Sequence, residues 1–214
     1  MQVMIYPSEV ISKSDAVKQL GSVFLRGGDA AIADQYAKSW AAAARLRSEN
    51  PNFTQDQLIK NATNNYLIQV SAAGAASGAI AAAPFFGFLS TIGSTAADLY
   101  FFGKVSVNHI LLIAALHDLQ LDDIELRRLT VLSSFLGEPN ELSKTTDVAD
   151  NFIANLNNKL SQRVIIKVGS KLLPARAGAA LPLFIGAAAA ASLNARLAQQ
   201  ISANAVTTIK LQAT

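Results

Sequence analysis

Between Lys60 and Asp98 the chain runs 37 residues without a charged side chain, and most of that run, "SAAGAASGAIAAAPFFGFLSTIGSTAA", is alanine, glycine, serine and threonine. Wherever water is excluded from such a segment, every backbone N–H and C=O needs a partner within the protein. Alanine at this density favours the helix, which satisfies those groups locally. The segment therefore belongs either in the close-packed interior of a helical bundle or against a lipid bilayer.

The rest of the chain points to the same secondary structure. Val, Ile, Thr and aromatic residues alternate with polar ones over no useful length, while alanine and 3.6-residue spacing recur. The expected fold is all-α: a single-domain multi-helix bundle with two Gly/Ala-rich apolar helical segments, near 71–97 and 177–195. Residues 1–53 read as an N-terminal helical region and 54–214 as the main helical domain.

A first helix is expected over 15–24, ended by Gly27-Gly28, and a second over 29–47, ended before Asn50-Pro51. Thr54 with Gln57 three residues later has the form of a capping box and opens a helix to Ala83, where Pro84 imposes a break. A long helix over 87–117 follows, with Gly103 a candidate division. Asp122 with Glu125 marks the next start, and Gly137 before Pro139 marks its end. Two last helices, over 146–173 and 175–210, are expected to be separated by Pro174, with Pro182 inside the second. The loop at 137–146 is the best place to divide the chain into halves.

With 51% hydrophobic and 15% charged residues, membrane spans need a test. A spanning helix requires about 20 predominantly apolar residues. The stretch 79–97 has six strongly apolar side chains, worth about −3 kcal/mol on an insertion scale and opposed by Pro84 and the small polar residues. The stretch 99–116 has ten, worth about −4 to −5 kcal/mol, against about +2.5 to +3.5 for Lys104 in its interior. The stretch 177–195 has five, together with Pro182 and Asn194. Each sum falls near zero, so none reads as a constitutive span.

The net charge of +3 hides an asymmetry. Residues 1–150 carry 11 basic and 15 acidic side chains, whereas 151–214 carry seven basic and no acidic ones. Lys159, Arg163, Lys167 and Lys171 recur every four positions and form a stripe along one helix, with Arg176 beyond it. Such a helix suits a bilayer interface, each basic residue contributing about 1 kcal/mol near an anionic surface. A solvated helix face is the alternative reading of the same stripe. It lacks the interleaved aromatics that stacking on bases would use, which argues against nucleic acid.

Small residues also repeat. Gly74 and Gly78 stand four apart, as do Pro182, Gly186 and Asn194 in steps of four and eight, a spacing that lets helix backbones approach closely. Asp98 ends the uncharged run and suits an ion pair, with Lys104 or a basic residue of the last helices, that fixes packing register. Asn194 suits a hydrogen bond across a helix contact.

Reaction chemistry is not visible. Cysteine is absent, which removes disulfides, thiolate metal sites and thiol nucleophiles. His109 and His117, eight apart, lie about 80° apart around a helix axis and make a poor ligand pair. No Gly-x-Ser-x-Gly elbow, P-loop, His-Glu-x-x-His or dinucleotide fingerprint occurs. The expectation is a non-enzyme with no catalytic residue, no cofactor and no metal.

Two segments, "SAAGAASGAIAAAPFFGFLSTIGSTAADLYFFGKVSVNHILLIAALHDLQLDD" and "KVGSKLLPARAGAALPLFIGAAAAASLNARLAQQISANA", in this order and separation, resemble the EcsC protein family over residues 60–210. The family's small-residue and Asp pattern falls on Gly87, Gly93 and Asp98, and its Pro–Gly–Asn pattern on Pro182, Gly186 and Asn194. The chain departs from it in carrying alanine after Gly186 where more glycine is expected. The resemblance implies a bacterial, helical, membrane-linked protein with no established catalytic activity.

The start, "MQVMIYPSEVISKSD", lacks the basic and apolar regions of a secretory signal, so a cytoplasmic location is expected. The functional expectation is a non-enzymatic, membrane-associated helical protein, peripheral or conditionally inserted at the inner membrane. Its partner would be an anionic membrane surface or a membrane protein, met through the basic C-terminal face, and a homo-oligomer stays open. The alternatives are a pore-forming or toxin-like bundle with a conditionally inserting apolar hairpin, and a soluble scaffold or ligand carrier.

Overall fold

The structure, a computed structural model, describes residues 12–81, 88–140, 150–178 and 183–213, with side-chain surroundings for 12–73, 96–140, 153–171 and 191–213. Seven α-helices account for most of the described residues: α1 (Lys13–Asp34), α2 (Tyr36–Glu49), α3 (Gln55–Ala81), α4 (Phe88–Leu116), α5 (Ile124–Leu136), α6 (Asp150–Gly178) and α7 (Leu183–Gln212). The fold is an all-α multi-helix bundle, with no strand among the described residues.

Helix ends follow from local chemistry. Thr54 and Gln57 form the reciprocal capping box at the start of α3: Gln57 N donates to Thr54 Oγ1, and Thr54 N donates to Gln57 Oε1 at 2.7 Å. The start of α5 differs by one residue from expectation. Asp123, not Asp122, has the extended backbone of an N-cap and accepts from Leu126 N at 2.8 Å. Gly137 closes α5 in the left-handed conformation, φ 72°.

Two breaks expected from sequence do not occur. Helix α1 continues through Gly27-Gly28 to Asp34, and the chain bends only at Gln35 before α2 begins. Glycine here serves packing. A Cβ on Gly27 would overlap the Tyr100 carbonyl of α4, and one on Gly103 would overlap the Phe24 carbonyl of α1. The same arrangement joins α1 to α6, where Gly21 meets the Ile165 backbone and Gly169 the Val17 backbone. Two glycine-lined crossings thus bring α1 into backbone contact with α4 and α6, and Gly103 divides nothing because α4 is continuous. Helix α6 likewise continues past Pro174 to Gly178.

The main core gathers Phe24 and Ile32 of α1, Val70 of α3, Phe102 and Ile110 of α4, and residues of α5, α6 and α7 around them. A smaller cluster seats Ala43 of α2 beside Leu58, Ile59, Ala62 and Leu116. Residues 13–49 therefore share their apolar burial with the rest of the chain. The window Ala96–Leu116 is long and apolar enough to cross a membrane, with mean hydropathy 1.6, and is the single such candidate among the described residues. It is 72% buried because α1, α2, α3 and α7 cover it. Its hydrophobicity is that of a central core helix.

Helices α3 and α7 lie antiparallel, joined at Asp56–Lys210 (3.5 Å), Thr63–Ser202 (3.0 Å) and Val70–Asn194 (3.5 Å). Arg47 of α2 donates to the carbonyls of Ala115 and Leu116 and to the Asp118 carboxylate, where a cation complements the α4 C-terminus. Gln55 donates to the same Leu116 carbonyl at 2.7 Å. Together these contacts set α2 and α3 against one end of α4.

Candidate functional site

Two regions are candidates for a functional site: the outer face of α6, anticipated from sequence, and a polar pocket among α2, α3 and α4, which was not.

On α6, every third or fourth residue from Ile153 to Val168 is buried, apolar except for Asn157 and Ser161, with Leu160 and Val164 fully so, which turns the opposite side to solvent. Lys159 and Arg163 are exposed on that outer side, together with Ile166, 54% exposed. Lys167 and Lys171 flank it, half-buried. Three of the four cations also meet neighbouring helices. Arg163 pairs with Glu138 at 2.6 Å, Lys167 donates to the Leu136 carbonyl at the end of α5, and Lys171 donates to Gln200 Oε1 at 2.5 Å. Burial, with Lys167 nearby, lowers Lys171 below the usual lysine value. Charge on this face is thus held in place by α5 and α7.

Asp98 is 7% exposed on α4, and Asn194 is buried on α7 with its amide donating to the Val70 carbonyl at 3.5 Å. Arg176, Gly74, Gly78, Gly87, Gly93, Pro182 and Gly186 lie outside the residues whose surroundings are described. Close backbone approach through small residues is present, at Gly21, Gly27, Gly103 and Gly169.

The second region starts from a buried polar chain. Tyr66 of α3 hydrogen-bonds Ser106 at 2.7 Å, and Ser106 donates to the Phe102 carbonyl. The Tyr66 ring stacks on His109, centroids 4.4 Å apart and 14° from parallel. His109 Nε2 meets Ser202 Oγ at 2.9 Å, and Ser202 meets Thr63 at 3.0 Å. Burial lowers the His109 pKa to about 3 and raises Tyr66 above its ordinary value, so both are neutral near pH 7.

This chain floors a pocket of about 320 Å3. One face of α4 contributes Asn108 and His109, one face of α3 contributes Asn65, Tyr66 and Gln69, and α2 contributes Lys38 and Arg45. Asn108 Oδ1 is buried without a hydrogen-bond partner. Each helix supplies its side chains at three- and four-residue spacing, a signal present in the sequence but indistinguishable there from an ordinary solvated face. His117 serves elsewhere: its Nδ1 meets Gln55 Nε2 at 3.1 Å beside the α4 C-terminus. Among the described residues no group of three or more His, Asp or Glu side chains converges to hold a metal.

No family model, no curated protein and no solved structure matches this chain.

Proposed function

We propose that this chain is a non-enzymatic bacterial protein of the cytoplasm that docks peripherally on the anionic inner-membrane surface through the outer face of α6. The observation that carries the reading is the pairing of exposed Lys159 and Arg163 with the protruding Ile166 on one helix side, in a region, residues 151–214, without a single acid. A cationic face with an apolar tip matches an interface where headgroups are negative and acyl chains begin just below. The resemblance of residues 60–210 to the EcsC family belongs to the same reading.

Energetics favour reversible docking. With Arg163 offset by Glu138, Lys159, Lys167 and Lys171 at about 1 kcal/mol each and about 1 kcal/mol from deeper burial of Ile166 sum to about 4 kcal/mol. That corresponds to a dissociation constant of roughly 1 mM in accessible lipid. His109 is engaged within the bundle, its Nε2 meeting Ser202 and its ring lying against Tyr66.

Vesicle flotation tests the proposal. The chain is expected to float with phosphatidylglycerol-containing vesicles at low salt, to stay behind with pure phosphatidylcholine, and to be released by high salt. Lys159→Glu combined with Ile166→Asp, both at exposed positions, is expected to abolish flotation without changing the helical spectrum. Absence of binding to anionic vesicles would overturn the proposal. Salt-resistant binding with dye release would replace it with insertion of the apolar hairpin.

A further inference from the structure

The pocket among α2, α3 and α4 stands apart from the docking face, since α6 contributes nothing to its lining. Its chemistry is one-sided. Two cations, Lys38 and Arg45, belong to its exposed α2 wall, and side-chain amides of Asn65, Gln69 and Asn108 line the other walls. None of its lining residues is acidic. Arg45 pairs with Glu49 at 3.5 Å in an exposed contact on the same helix. Pairs of that kind contribute about 0.3–0.5 kcal/mol, so Arg45 is free to turn to a stronger anion.

Two features bear on what this pocket can hold. Its floor is rigid, because Tyr66 and His109 are fixed by their stacking and by hydrogen bonds to Ser106 and Ser202. Its volume, about 320 Å3, falls within the range of small-molecule sites.

A ligand that fits this arrangement carries negative charge toward Lys38 and Arg45 and hydroxyls for the amides of Asn65 and Gln69. We infer that the pocket binds a small polyhydroxylated organic anion, a sugar-sized body bearing one phosphate or carboxylate group. Amides are well matched to such a body because each offers both a donor and an acceptor. The apolar contacts come from Leu46, Val105 and Leu112 in the same walls.

Four probes test the inference on the full chain: glucose 6-phosphate, gluconate, glucose and inorganic phosphate, each followed by side-chain amide shifts in nitrogen–proton correlation spectra. Saturable shifts of Asn65, Gln69 and Asn108 are expected with glucose 6-phosphate or gluconate, at least tenfold tighter than with glucose or phosphate alone. Combined Lys38→Glu and Arg45→Glu, at exposed α2 positions, is expected to weaken that binding tenfold or more while leaving the remaining spectrum in place. Saturation by neither sugar anion overturns the inference. So does binding as tight for glucose as for its phosphate, or affinity unchanged in the doubly reversed variant. Vesicle flotation is read separately, so failure here leaves the α6 reading intact.

Discussion

Gly27 and Gly28 are neighbours in one helix, yet the structure assigns them different sensitivities to the same substitution. Gly27→Ala removes a helix-propensity penalty of about 1 kcal/mol, but its new methyl overlaps the Tyr100 carbonyl. A carbonyl in a helix backbone cannot turn aside as a side chain can, so α1 and α4 must separate. Overpacking a close core costs about 1–3 kcal/mol where neighbours adjust by rotation. Here the upper value applies, because separation also loosens Phe24, fully buried with its ring 5.5 Å from Phe102 and 5.0 Å from Phe135. The expected net loss is about 2 kcal/mol, or a Tm lower by about 4–8 °C for a chain of this size. Gly28→Ala instead brings a methyl to 3.2 Å from Val107 Cγ2. That methyl can yield, and the propensity gain offsets its movement, so Tm is expected to stay within about 2 °C of the parent. Thermal unfolding followed by circular dichroism compares the two. Equal shifts, or a stabilised Gly27→Ala, would refute backbone contact as the reason for glycine there.

Two further outcomes follow from buried polar groups. Burial lowers the folded-state pKa of His109 to about 3, so below its unfolded value the unfolded chain takes up a proton that the folded chain refuses. Stability is therefore full above about pH 6.5 and falls with pH toward 3 by up to about 1.4 kcal/mol per unit. Urea titrations of His109→Gln across that window should show a shallower slope, and an unchanged slope would contradict a neutral buried imidazole. Arg127 lies 4.0 Å above the Tyr36 ring and donates to the carbonyls of Leu121, Ile32 and Asp122 at 2.9–3.1 Å. Lysine cannot reproduce that fork, so Arg127→Lys is expected to cost about 2–4 kcal/mol by urea denaturation; a loss below about 1 kcal/mol would show that the carbonyls find other donors.

The helical class was legible in the sequence because alanine density and the absence of period-two alternation are local properties. So were the capping box at Thr54 and the left-handed stop at Gly137, each settled within a few residues. Gly27-Gly28 was misread because the meaning of a glycine depends on what lies opposite, and the Tyr100 carbonyl comes from a helix distant in sequence. The α5 cap moved by one residue because adjacent aspartates offer the same side chain and only backbone geometry selects Asp123. On α6 the four-residue spacing was visible, but the acceptors that hold Arg163, Lys167 and Lys171 belong to the α5 end and α7. The pocket was invisible for a related reason. Asn65 with Gln69, and Lys38 with Arg45, each resemble a solvated face until three helices bring them together.

The most direct measurement of the docking face uses the absence of cysteine from the chain. A polarity-sensitive dye on Ile166→Cys reports from α6, and the same dye on Ile68→Cys, at a position 67% exposed on α3, reports from a different helix. With anionic vesicles, emission from position 166 should shift to the blue while emission from position 68 stays unchanged. A shift at 68 alone, or at neither position, would contradict docking through α6.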